Sequence, residues 1–344
     1  MKKYASMTVL YALSHFIVDF SCAYLIFSIL SDNGQWLKCL LTYNFFAFAM
    51  QMPLGLLADK FDRNRFFAAS GCILILISPF LDNNAIMLSS VAGLGNALFH
   101  IGAGRDVLCG ARQRFSALGL FVSPGAIGLY LGILLGKMDA LPIFAILGAL
   151  LIVSAVILII IPMLYDKDRI TSPPIEISLN GGRKTAFMLL CLFLVVCLRS
   201  YVGMTLSFPW KGEGSFALIL AVSVVLGKAS GGFLADRFGA IPVSIATLGV
   251  CTLLLFFYKI PLCGILAVLL FNMTMPITLG AVTKIFPSAM GFGFGLLTFA
   301  LFLGFLPVLT GAANILALPY GFSAACIFSA CLLYIGLKEP EYAD

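Results

Sequence analysis

The sequence is poor in charge. Of its 344 residues only 10% are Asp, Glu, Lys or Arg, against 61% that are hydrophobic, and the mean hydropathy is +1.08. Soluble domains carry roughly a quarter charged residues, so a water-facing globule is excluded and the chain belongs in a bilayer. Histidine is scarcer still, with two copies, and none of the ten cysteines forms a CxxC pair. A structural metal site is therefore not expected, and nothing calls for a cofactor. Cysteines such as Cys22, Cys72, Cys191 and Cys197 fall inside apolar runs and read as small packing residues. The apolar–polar alternation of membrane barrel strands is missing too. The net charge of +6 has no soluble domain to carry it, which excludes nucleic acid as a partner.

What is present is a series of long apolar runs. A spanning helix needs about 20 largely apolar residues, and backbone groups in lipid must be satisfied within each helix. Charged residues, Pro, Gly and Asn divide the chain into twelve such runs. They lie near Tyr4 to Leu30, Trp36 to Ala58, Phe66 to Leu81, Ala85 to Leu108, Phe115 to Gly136, Leu141 to Tyr165, Thr185 to Phe208, Gly214 to Ala235, Ile241 to Tyr258, Pro261 to Val282, Ser288 to Ala313 and Leu318 to Leu337. Met1-Lys2-Lys3 has the look of a signal n-region, but the apolar stretch after it is too long and holds Asp19, so the first run is expected to remain in the mature protein.

With the amino terminus placed in the cytoplasm, fifteen basic residues fall on inside segments and four (Lys38, Lys137, Lys211, Lys259) on outside ones. That bias puts both termini inside. The longest connection, residues 166–184, reads DKDRITSPPIEISLNGGRK, and its charged ends, Pro173-Pro174 and Gly181-Gly182 mark a linker between halves 1–165 and 185–344. The halves repeat a charged phrase: GLLADKFDRNR begins at Gly55 and GGFLADRFGAI at Gly231, and the interval from Gly55 to Gly232 equals that from Asp59 to Asp236. It is close to half the chain. A charged cytoplasmic loop alone would account for one copy; two at matched positions indicate duplication.

The phrase G-x-x-x-D-(R/K)-x-G-(R/K)-x-(R/K), after the second run and again after the eighth, resembles the signature loop of the major facilitator superfamily. Its first copy carries Gly55, Asp59, Lys60, Arg63 and Arg65, with Asp62 where the family has glycine; its second keeps Gly232, Asp236, Arg237 and Gly239. The resemblance implies an all-α polytopic membrane protein, with twelve transmembrane helices in two pseudo-symmetric six-helix bundles, working as a monomer by alternating access. It also implies that the loop cluster gates the cytoplasmic side by latching the halves when the transporter is open to the outside. The run GLFVSPGAIGLYLG is similar to a helix-5 antiporter pattern through Gly119, Pro124 and Gly128, the proline bending the helix and the small residues permitting close contact. LSHFIVDF, NALFHIGAG and LRSYVGMTLSFP together look similar to the fosmidomycin-resistance branch, whose members are efflux transporters. Compact loops and short tails suit a bacterial plasma membrane.

Ionisable groups in mid-membrane cost several kcal/mol on insertion scales and persist where they face a cavity or a partner. Asp19 is the one acidic residue near the middle of any run, and His15 lies four residues before it on the same helix face. Histidine titrates near neutrality, so the pair is assigned to proton coupling; a pair that only fixes packing is the alternative. Arg199 in the seventh run maps by the offset between the repeated phrases onto Cys22, one turn from Asp19. It can pair with Asp19 or hold an anionic substrate bidentately. Asn96 and His100 on the fourth run, Asn272 on the tenth and Lys228 on the eighth complete the candidate substrate cavity, although Lys228 can also snorkel to headgroups. The reading is proton-coupled efflux of a small organic molecule or drug, by antiport. A facilitator or proton symporter for an anionic metabolite is the alternative. An embedded enzyme using Asp59-x-x-Asp62 on a metal–diphosphate is the remote one, since it lacks a second Asp-rich motif.

Overall fold

The computed structural model describes residues 2–110, 114–165, 182–309 and 319–338. The expected linker, apart from its last three residues, lies outside them. The described chain is helical throughout, with ten helices long and apolar enough to cross a membrane. These are α1 (Tyr4–Leu30), α2 (Trp36–Phe61), α3 (Asn64–Leu81), α4 (Ala85–Gly110), α5 (Phe115–Lys137), α6 (Ile143–Leu164), α7 (Gly182–Thr205), α8 (Phe216–Phe238), α10 (Pro261–Ile285) and α11 (Met290–Leu309). Two shorter apolar helices, α9 (Ala240–Phe256) and α12 (Tyr320–Gly336), complete the set. Large apolar side chains such as Phe80, Phe144, Ile152, Met163 and Leu253 point outward, where hydrocarbon can take them.

The helices form two six-helix bundles. In the first, α1 runs along α5 and α4, and α3 lies between α4 and α6; in the second, α7 packs on α11 and α12, α9 on α12, and α8 on α10. The bundles meet along α2 against α11 and α5 against α8. Both seams rely on missing side chains: a Cβ on Gly55 would strike the Gly291 carbonyl, and one on Gly119 the Lys228 carbonyl. Such contacts replace the hydrophobic drive that lipid cannot supply between helices. Gly128 does the same for α5 against Phe16 of α1.

Three helices depart from regularity beside the bundle interface or within a cavity wall. α2 widens into a π-turn at Phe45–Ala49, and α10 is interrupted between Asn272 and Thr274. α5 contains Pro124, which has no N–H to give to the Leu120 carbonyl. The Ser123 hydroxyl reaches that carbonyl at 3.3 Å and the Gly119 carbonyl at 2.6 Å, so the serine that stands in place of a pattern glycine repairs the ladder. Away from them, α6 has its own π-turn at Val156–Ile160.

Candidate functional site

A cavity of about 520 Å³ lies between the bundles and extends to the α7–α8 loop at Phe208 and Lys211. That volume suits a small organic ligand. The first bundle contributes His15, Asp19, Gln51 and His100 to its wall; the second contributes Arg199, Lys228 and Asn272, and apolar side chains fill most of the rest. Gln51 is absent from the sequence-based candidates, although the interval between the loop motifs carries it directly onto Lys228.

The two histidines, distant in sequence, converge. His15 Nε2 is 3.0 Å from Asp19 Oδ2, and His100 Nε2 is 2.8 Å from His15 Nε2 and 3.6 Å from Asp19 Oδ1. Each ring's other nitrogen faces a backbone carbonyl: His15 Nδ1 meets Phe121 O at 2.8 Å, and His100 Nδ1 meets Asn96 O at 2.9 Å. A carbonyl only accepts, so both Nδ1 atoms carry hydrogen. In the neutral tautomers, both Nε2 atoms then present lone pairs to each other and to a carboxylate. A proton shared between the two Nε2 atoms would balance Asp19.

Asn96, expected on the cavity wall, stands behind Asp19 instead. It is 4% exposed, and its amide donates to Asp19 Oδ1 at 3.3 Å and to Cys22 Sγ at 3.6 Å. Its place follows from the spacing: four residues before His100, it fixes that ring with its carbonyl and the carboxylate with its side chain. Gly125 of α5 faces the cluster from the other side, where an added Cβ would collide with His15 and Asp19. The sequence held a signal for it, the glycine directly after Pro124.

Across the cavity, Arg199 donates from Nη1 to Thr278 Oγ1 at 3.0 Å. It makes no ion pair with Asp19 among the described residues. Lys228 stays inside, its Nζ donating to the Val122 carbonyl at 3.4 Å, in the same α5 turn that anchors His15 through Phe121. The Pro124 turn thus positions one ionisable group from each bundle. Asn272 donates to its own helix at the Val268 carbonyl, at 2.8 Å. Asp19 is the one carboxylate on a cavity wall that also carries Arg199, Lys228 and Lys211.

The repeated loops lie at the bundle end remote from Lys211. Asp59 accepts from the backbone N–H of Gly291 at 2.9 Å and of Phe292 at 2.8 Å, at the start of α11. Asp236 accepts from Phe115 and Ser116, at the start of α5, both at 3.0 Å. Each carboxylate therefore caps a helix of the opposite bundle, where the helix dipole favours negative charge. Buried Arg105 adds contacts to Asp59 Oδ1 at 2.7 Å and Asp62 Oδ1 at 2.6 Å, so the Asp59-x-x-Asp62 pair is held by a guanidinium rather than free for a metal–diphosphate. Asp106 takes other partners, accepting from Tyr11 and Asn64 at 2.7 Å and lying 3.6 Å from Arg65. The remaining basic loop residues stay at the periphery, Arg63 over Phe66 and Arg237 over Phe238; Lys60 is exposed.

No family model and no curated protein matches the sequence. Solved structures do match in fold. The crystal structure of a major facilitator superfamily transporter, FucP, in the outward conformation superposes with a TM-score of 0.65 at 13% identity, over 97% of this chain and 98% of that one. A variant of the E. coli fucose:proton symporter FucP gives 0.61 at 13%, over 96% and 98%. A bacterial homologue of the iron transporter ferroportin in the outward-facing state gives 0.61 at 15%, over 96% and 97%. The chain has the fold of major facilitator superfamily transporters.

Proposed function

We propose that this protein is a secondary active transporter in which two bundles rock about a midplane site and carry a small organic anion together with a proton. The observation that carries this reading is the division of charge across the cavity: Arg199 and Lys228 from one bundle face His15, Asp19 and His100 from the other. Guanidinium binds carboxylate or phosphonate bidentately. A proton held between the two imidazoles cancels Asp19 and leaves the wall cationic, so proton and anion favour each other's binding. Mutual attraction of this kind gives symport.

With the latched end cytoplasmic, as the basic-residue bias implies, the cavity opens outward. Protonation offsets Asp19 and the bound anion offsets part of the Arg199 and Lys228 charge, so neither sign faces closure unpaired, which lowers its cost against lipid-dielectric surroundings. Closure on the outer side then demands release of the Asp59 and Asp236 caps on the inner side. A plasma membrane location and a monomer suit this reading.

Efflux by antiport is the second reading, favoured by the Gly119–Pro124–Gly128 pattern and by the resemblance to the fosmidomycin-resistance branch. There a substrate and the proton displace each other, as a cationic drug at Asp19 would. Proteoliposomes loaded with buffer and given labelled phosphonates, carboxylates and cationic drugs in turn test the substrate class. Accumulation of an anion that Arg199→Gln and Lys228→Gln each weaken supports the anion reading. Movement of cations alone, indifferent to both substitutions, overturns it.

A further inference from the structure

The His15–Asp19–His100 cluster has a second cation that fits it. We infer that it is a binding site for a divalent transition-metal ion of borderline softness, such as zinc or cobalt, which occupies the space the shared proton otherwise fills. The inference concerns the same side chains as the transport reading, but rests on it only for the consequence that a bound metal would block the proton.

Four features converge. The donors are two imidazole nitrogens and a carboxylate, a set that suits zinc, iron, copper and nickel and gives magnesium and calcium too few oxygens. Their ligand atoms all lie within 4.8 Å of one another: the two Nε2 atoms are 2.8 Å apart, and the carboxylate turns a separate oxygen to each ring, Oδ2 at 3.0 Å from His15 and Oδ1 at 3.6 Å from His100, against the roughly 3.3 Å edge that metal–nitrogen bonds of about 2.0–2.1 Å impose on a tetrahedral ion. Both rings have Nδ1–H tied to carbonyls, which leaves both Nε2 lone pairs aimed inward; Asn96 holds the carboxylate. These are the outer contacts that orient metal ligands. Lastly, Gly125 keeps a side chain off the donor atoms, where a Cβ would collide with His15 and Asp19, and all three donor residues lie on the cavity wall, from which a fourth ligand can come. The expectation of no metal site rested on scarcity of histidine; the fold places both copies together.

The test is Co²⁺ absorption spectroscopy on the purified full chain in detergent. The expected result is an intense visible d–d band that Zn²⁺ abolishes and Mg²⁺ does not. Loss of an orienting partner alone costs about 10–100-fold in metal affinity, so Asn96→Ala weakens binding at least ~10-fold and His15→Gln or His100→Gln more. A wild-type spectrum no different from aqueous Co²⁺, or a band that survives in the double His15→Gln/His100→Gln variant, overturns the site. If those variants fail to fold, pulsed electron paramagnetic resonance of Cu²⁺ on the wild type decides: modulation from two imidazole nitrogens supports the site, and from one or none contradicts it. Failure here with intact proton-driven uptake removes the metal and leaves the transport reading standing.

Discussion

The α2–α3 and α8–α9 loops tie the two bundles together with the same aspartate cap and different surroundings. In both, an aspartate caps the first turn of a helix across the interface, and three residues later the chain turns left-handed, at Asp62 with φ 50° and at Gly239 with φ 91°. Only the first loop adds a buried arginine; the repeat offset that relates Asp59 to Asp236 takes Arg105 to Val282. The cap is therefore the shared latch, and the ion pair is an addition on one side. Asp59 is buried and Asp236 exposed, so the Asp236 cap is the weaker of the two. The same asymmetry runs through the cavity. By that offset His15, Asp19, Asn96 and His100 correspond to Leu192, Val196, Met273 and Ile277, so one bundle holds the histidine–carboxylate cluster while the other holds Arg199 and Lys228.

Substitutions that level this difference test it, beginning with the largest effect. Asp59→Ala removes the α11 cap and one of the two carboxylates paired with a fully buried guanidinium; leaving such a charge wholly unpaired costs about 3–5 kcal/mol, and with Asp62 still in place the loss should reach about 3 kcal/mol, read as a drop in Tm on thermal unfolding in detergent. Arg199→Gln removes a charge-assisted contact worth about 1.5–3 kcal/mol, which corresponds to an apparent anion affinity weakened about 10- to 100-fold, read from uptake. Asp236→Ala costs only a helix cap, about 1 kcal/mol, and a Tm loss equal to that of Asp59→Ala would show that Arg105 adds nothing to the latch. Asp62→Gly makes the first loop resemble the second. It relieves a left-handed non-glycine, worth about 1–2 kcal/mol, and gives up a partly solvated ion pair worth about 0–1 kcal/mol, so stability should change by no more than about 1–2 kcal/mol and in the favourable direction.

The fold was legible because lipid leaves few choices: every apolar run had to be a helix, and the runs match the observed helices apart from their ends. The ends moved where polar residues work inside a helix. Asn64 and Arg65 lie within α3, where they serve Arg105 and Asp106, although their polarity read as loop. Within the site, His15 and Asp19 were legible because helical spacing joins them. The meeting of His15 with His100 was not, because it depends on how α1 packs against α4. Arg105 stands directly before Asp106, yet adjacent residues on a helix point apart, and its fork finds Asp59 and Asp62 on another helix end. Gln51 was within reach of the duplication offset, whereas Asn96 was misplaced because a polar side chain in a span serves equally well behind a ligand or beside one.

The direction of proton movement separates symport from antiport most directly. Proteoliposomes carrying an internal pH dye, given an external anion that the protein transports, should acidify inside with the wild type and not with Asp19→Asn. A lumen that turns alkaline, that keeps its pH while the anion enters, or that acidifies equally with Asp19→Asn would contradict proton–anion symport through the His15–Asp19–His100 cluster.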